Sequence, residues 1–180
     1  MNFQELLIKR RSCRKFTEQA VEQEKIDTLM TSVLMSPSSK RCNPWEFIVV
    51  TDKDKIQALS VCKDNGATFV AGAPLAIIVM ADQTKTDVWV EDTSIASILL
   101  QLQAEDLGLG SCWVQIRNRH QADGTPAETV VRKMFNIPEN MAVESIIAIG
   151  YRNGEAKSFD PARLQKEKLH FNDYQTEYKL

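Results

Sequence analysis

Apolar positions along this chain repeat with two periods, one helical and one extended. Phe3, Leu6 and Leu7 share a helical face with Arg10 over residues 2–10, and Asn2 followed by Glu5 has the form of a capping box. Ile26, Leu29, Met30, Val33 and Leu34 repeat at helical spacing over 21–35, and Pro37 ends that helix. Residues 53–61 predict another helix, 67–73 a shorter one, and 127–135 a third, with Pro126 suited to its first turn. The longest helix covers 90–107. Ile95, Ile98, Leu99 and Leu102 form one of its stripes and Ala96, Leu100, Ala104 and Leu107 a second, a face wide enough to predict burial nearly all round. Gly108 and Gly110 stop it.

Strand patterns fall between the helices: "EFIVVT" at 46–51, "PLAIIVMA" at 74–81, "SCWVQI" at 111–116 and "VESIIAIGY" at 143–151. The run at 74–81 is continuously apolar, as in a strand covered on both faces. Residues 12–17 read as extended, and 36–45 as a loop. From Arg152 onward the chain is polar and cannot build a core, so it is expected to be a free end or an arm on another surface. Helices alternating irregularly with about four strands predict a mixed sheet in an α+β or α/β layer.

Composition narrows the function. The 180 residues suit one domain. With 22 Lys+Arg against 24 Asp+Glu the formal charge is −2, which argues against a broad nucleic-acid-binding field. Cys13, Cys42, Cys62 and Cys112 form no metal-ligand spacing with each other or with His120 and His170. No leader pattern and no membrane-length apolar run occur, so a reduced, cytoplasmic protein is expected.

Three stretches hold candidate chemistry. "RRSCRKF" at 10–16 concentrates cations in an otherwise acidic chain. If it is extended, Ser12 and Arg14 face one way and Cys13 and Lys15 the other, so Arg10, Ser12 and Arg14 converge on one phosphate. A solvated basic turn complementing the first helix's dipole accounts for the same residues. "SPSSKRCNPWEF" offers Ser38, Ser39 and Asn43 on a loop entering a strand, although Pro37 and the serines also explain a helix stop and turn. "GLGSCW" joins a buried helix to a strand, the reverse of the order a dinucleotide fingerprint needs. Trp45, Trp89 and Trp113 read as packing residues, His120 as an exposed loop residue, and Glu91–Asp92 as the acidic start of the long helix. No Ser/His/Asp or Cys/His pairing is supported.

These stretches, in this order, resemble the nitroreductase family of FMN-dependent oxidoreductases from Phe3 to about Phe171. "IKRRSCRKF" is similar to the family's Arg-[Arg/His]-Ser-x-[Arg/Lys]-x-Phe motif, which implies that Arg10, Arg11, Ser12 and Arg14 hold the FMN phosphate and ribityl chain. "SPSSKRCNPWEFIVV" resembles the loop that reaches the partner subunit's flavin. Pro37, Ser38, Ser39, Pro44, Trp45 and Phe47 match, whereas Arg41 and Asn43 stand where the family has Asn and Gln. Gln115, Ile116 and Arg117 fall where relatives place backbone donors near flavin N5. Arg163, in "GYRNGEAKSFDPARL", matches a basic residue near the phosphate, with Arg152 and Asn153 departing from the family's Pro and acidic pattern.

The resemblance implies an α+β, nitroreductase-like fold with a central mixed, mainly antiparallel sheet flanked by helices. It implies one domain over 1–180, with 152–180 as an arm on the partner of an interleaved homodimer. It implies bound FMN, NAD(P)H as donor, a small acceptor such as a nitroaromatic or quinone, and a ping-pong reaction in which the flavin and no side chain carries the chemistry. Three rivals remain: a flavin sensor or carrier without turnover, a relative with another acceptor (dehalogenation or flavin degradation), and a colourless nucleic-acid-binding module using Arg10 to Lys15.

Overall fold

A computed structural model describes residues 2–179. Its helices are α1 (Phe3–Lys9), α2 (Gln23–Leu34), α3 (Lys53–Leu59), α4 (Trp89–Asp106) and α5 (Ala127–Phe135). Its strands are β1 (Trp45–Val50), β2 (Leu75–Asp82), β3 (Gly110–Gln115) and β4 (Met141–Gly150). The segment expected as a short helix at 67–73 is a 3-10 turn, Thr68–Gly72.

Helix ends follow local chemistry. Asn2 Oδ1 accepts from Glu5 N–H at 2.9 Å and Glu5 Oε2 accepts from Asn2 N–H at 3.3 Å, the reciprocal box expected for α1. Asp52 caps α3 by accepting from Asp54 and Lys55. At the end of α4, Leu109 N–H donates to Ala104 O at 2.8 Å and Gly108 N–H to Glu105 O at 3.0 Å, a Schellman closure.

The sheet order is β1-β2-β4-β3, and every ladder between these strands is antiparallel. The expected mixed character comes down to one isolated parallel bridge, Ser12 to Ser111, on the outer side of β3. β2 and β4 are central and buried along almost their whole length, as the continuous apolar run of β2 predicts. One face of the sheet packs on α3 and α5 through Ile56, Leu59, Ile78, Val131 and Ile146. The other packs on α2 and α4 through Leu29, Val33, Ile77, Leu100 and Ile149.

α4 departs from its expectation of burial all round. Ala96, Leu100 and Ala104 are fully buried, but Ile95 and Ile98 remain 40% and 41% exposed. In the single chain the stripe of Ile95, Ile98, Leu99 and Leu102 is only partly covered. α1 likewise buries no residue of its own.

Two facing glycines shape the corner where the N-terminal segment meets the sheet. Gly110 and Gly150 are paired across β3 and β4. A Cβ on Gly110 would stand 2.7 Å from Cys13 Cβ and Sγ, and one on Gly150 would stand 2.5 Å from Pro74 Cδ. Only residues without a Cβ allow both crossings.

Candidate functional site

The segment 10–17 is extended and fastened by its backbone. Cys13 N–H donates to Ser111 O at 2.8 Å, Thr17 N–H to Tyr151 O at 2.9 Å, and Asn153 N–H to Lys15 O at 3.0 Å. Phe16 is buried and anchors the segment in the core. With the backbone spent on the sheet, the side chains are free to serve a ligand.

Those side chains divide between two places. Arg14, Ser12 and Arg10 all lie close enough to the Cys112 thiol to act on it. Burial pushes that thiol up, while the Arg14 charge, the Ser12 hydroxyl and the Arg10 charge pull it partly back. Ser12 is bridged to Ser111 at the start of β3 and the charges of Arg10 and Arg14 bear on the same strand, while the Arg14 guanidinium lies 5.8 Å from the Phe69 ring centre. Arg11 turns elsewhere. Its guanidinium lies 5.5 Å from the Phe159 ring centre. It lines a cleft of about 720 Å³ with Lys157, Ser158, Phe159, Asp160 and Arg163. Three cations face one carboxylate there, a donor set suited to a phosphate.

A residue that pattern reading missed locks this corner. Arg152 pairs with the buried carboxylate of Glu105 near the end of α4, and its backbone bridges to Phe16. Its Nε has no hydrogen-bond partner among the described residues. The sequence showed Arg152 only as a break from a motif; its partner lies 47 positions away in the chain and leaves no local signal.

The loop from Ser36 to Asn43 is held in an unusual form. Lys40, Arg41 and Asn43 have φ of 50°, 57° and 43°, a left-handed conformation costly for residues with a Cβ. Ser38 Oγ accepts from Asn43 N–H at 2.9 Å and donates to Asn43 Oδ1 at 2.8 Å, so these two residues close the loop on each other. Ser39 N–H donates to Asp92 Oδ1 at 2.9 Å. Asp92 is buried and its Oδ2 has no partner among the described residues. It therefore ties the loop to α4, a role beyond the helix-start acid that its position predicts. Pro37 precedes the turn and is exposed.

The turn after β3 is the third part. Trp113 Nε1 donates to Gln115 Oε1 at 2.9 Å, and Gln115 Nε2 donates to Arg117 O at 3.1 Å. The N–H groups of Ile116 and Arg117 both donate to Glu144 O, each at 3.1 Å. The backbone donors anticipated at Ile116 and Arg117 are therefore engaged within the chain. Arg117 also lies 5.7 Å from the Trp89 ring centre, so Trp89 does more than fill space. Glu144 is 3% exposed; burial pushes its carboxyl up, Gln115 and Arg117 oppose this, and Glu91 adds to it.

The three parts sit at two ends of one frame. Arg10, Ser12 and Arg14 stand at the start of β3 and the turn 115–117 at its end, about 17–20 Å apart for a strand of this length. The loop tied by Asp92 and the turn touched by Trp89 both adjoin the first turn of α4. A cationic end and an end bearing an aromatic ring and an amide suit an elongated ligand with a phosphate and a polar ring. Among the described residues no cluster of His, Cys, Asp and Glu fits a metal ion, and no helix is long and apolar enough to cross a membrane.

Comparison with known proteins agrees with this frame. A model of the Nitroreductase family matches residues 7–64 and 59–151. The structure of an FMN-dependent nitroreductase from Clostridium difficile R20291 shares 47% identity and a TM-score of 0.92, covering 93% of this chain and 98% of that one. A protein of Methanothermobacter thermautotrophicus, provisionally named an NADH dehydrogenase/NAD(P)H nitroreductase, is 34% identical over 175 residues, or 93% of this chain and 88% of its own. The NADPH-flavin oxidoreductase of Vibrio harveyi is 27% identical over 188 residues, or 95% and 74%.

Proposed function

This chain belongs to the nitroreductase family, and from that premise we propose that it is an FMN-dependent oxidoreductase. In this reading it passes hydride from NAD(P)H to a nitroaromatic, quinone or similar small acceptor. The observation that carries it is the meeting of the two ends of the chain. Arg11 of the N-terminal segment and Arg163 of the C-terminal arm line one cleft, and the same N-terminal segment carries Arg10, Ser12 and Arg14 to the start of β3.

The residues present fit the cofactor. Arg11 and Arg163 in their cleft, with Arg10, Ser12 and Arg14 at the start of β3, would supply charged and neutral donors for its phosphate and ribityl chain. Gln115, Ile116 and Arg117 would border its ring, with Ile116 and Arg117 fixed by Glu144 O and the Gln115 amide fixed by Trp113 and Arg117 O. FMN, when bound, supplies the two-electron chemistry, accepting hydride and handing it on. The chain's own task is to hold, orient and partly shield the reactants.

A homodimer completes the site. The partly covered stripe of α4 continues into a groove of about 610 Å³ lined by Phe3, Leu6, Met35, Pro37, Leu99 and Leu102. Pro37, Ser38, Ser39 and Asn43 would reach a second copy's flavin from this side, and the arm from 152 would lie on that copy.

Mixing the FMN-loaded protein with NADH or NADPH without oxygen tests this reading. Loss of the flavin absorbance, restored by a nitro compound or quinone, is expected. Bound flavin that neither nucleotide bleaches would leave a sensor or carrier in its place.

A further inference from the structure

Glu144 is the extra residue of a β-bulge. On β2, Val79 pairs with Ser145 and Met80 with Val143, so Glu144 has no partner across that ladder. A bulge turns a side chain away from the alternation its strand would impose. Here it leaves an acid in a strand that is otherwise almost wholly apolar. The same residue's carbonyl accepts from both Ile116 and Arg117. Its side chain is almost wholly buried, and Oε2 has no hydrogen-bond partner among the described residues.

The groups bearing on this carboxyl come from three elements. Gln115 and Arg117 approach from the end of β3, and Glu91 from α4. Glu128 of α5 lies next along the strand, its Oε1 accepting from Val143 N–H at 3.2 Å. Arg117 lies on the Trp89 ring, 5.7 Å from its centre, and its charge bears on Glu144 from beyond ion-pair distance.

We propose that Glu144 is a proton-linked positioning residue for the turn 115–117. Its carboxyl, the Arg117 guanidinium and the Gln115 amide act as one unit. An ionised Glu144 draws Arg117 onto itself; a protonated Glu144 leaves Arg117 on the Trp89 ring and available to a negative group at the turn. A negative group arriving there competes for Arg117 and favours the protonated acid, so one proton passes from solvent to the Glu144 carboxylate on binding. That the negative group belongs to a flavin rests on the proposed function; the switch itself does not.

The tryptophans report on the unit. Trp113 bonds Gln115 and Trp89 lies under Arg117, whereas Trp45 is buried beside Phe47 on β1. Tryptophan emission of the FMN-free protein should pass through one transition above the ordinary carboxylate range. Glu144→Gln should abolish it, and His120→Asn, which alters an exposed residue outside the unit, should leave it in place. A transition that survives Glu144→Gln, or a wild-type protein without one, overturns the proposal. If the variant does not fold, carbon NMR of glutamate-labelled wild-type protein decides. One carboxyl should titrate above the others, with its midpoint rising when FMN is added. Glutamates that all titrate together overturn it. Protein that keeps the transition but fails to take up FMN counts against the flavin reading and still supports the Glu144–Arg117 unit, which separates the two failures.

Discussion

Arg11 and Arg14 are near neighbours in sequence, yet they reach different ground. Arg14 joins Arg10 and Ser12 beside Cys112, and Arg11 crosses to the cleft of Phe159 and Arg163. Alternation along an extended segment places Ser12 and Arg14 on one side, but the destination of Arg11 depended on an arm whose path no periodicity reveals. If Arg14 gives FMN a charged hydrogen bond, Arg14→Ala should weaken FMN binding by roughly 1.5–3 kcal/mol. Fluorescence titration with FMN checks this, and unchanged affinity would return Arg14 to a solvated turn. Glu144 permits a second test through stability. Burial holds its carboxyl above the ordinary value, so the folded chain keeps that proton to a higher pH than the unfolded chain does. Its contribution is full below the unfolded value and is lost as pH rises through the folded one. The unfolding free energy of wild type relative to Glu144→Gln should therefore fall with rising pH across that window and stay level on either side, measured by denaturant titration. The acid stood in plain view inside "VESIIAIGY", but a sequence does not show a bulge, so its surroundings were not legible.

At the scale of elements, apolar period foretold the helices and the four strands. It also identified β2 as covered on both faces, because such a strand has no polar side to show; β4, with Glu144 and Ser145 in its run, carried no such mark. It did not foretell their order, β1-β2-β4-β3, since period says which face is buried and nothing about which strand lies beside it. Nor did it reveal the left-handed loop at Lys40 and Arg41, where the residues present are not those that usually take that conformation. Arg41→Asn, which restores the residue type of the resembling motif, should raise stability by up to about 1 kcal/mol, read as a higher denaturation midpoint with unchanged slope. Gly110→Ala should act the other way. The new methyl would press on Cys13 and on the Arg152 stem, which the Glu105 pair holds in place. A loss of about 1–3 kcal/mol is expected by the same titration, with weaker FMN binding because the basic segment shifts.

At the scale of the molecule, the outer stripe of α4, the thinly packed α1 and the exposed arm all ask for cover. The residues of the stripe were legible in the sequence, but whether a neighbour within the chain or a second copy hides them was not. Ile95 and Ile98 stand about two-fifths exposed in the single chain, and the proposed second copy would cover them. Ile98→Asp should convert a dimer to a monomer in sedimentation experiments and reduce FMN retention with it, because the loop at 37–43 would no longer reach a second site. The account's central claim is that the two ends of this chain build an FMN site, and the visible absorption spectrum of the purified protein tests it most directly, with the released cofactor identified. Flavin bands, and FMN recovered at about one per chain, are predicted. A colourless protein that takes up no FMN when it is supplied would contradict the account.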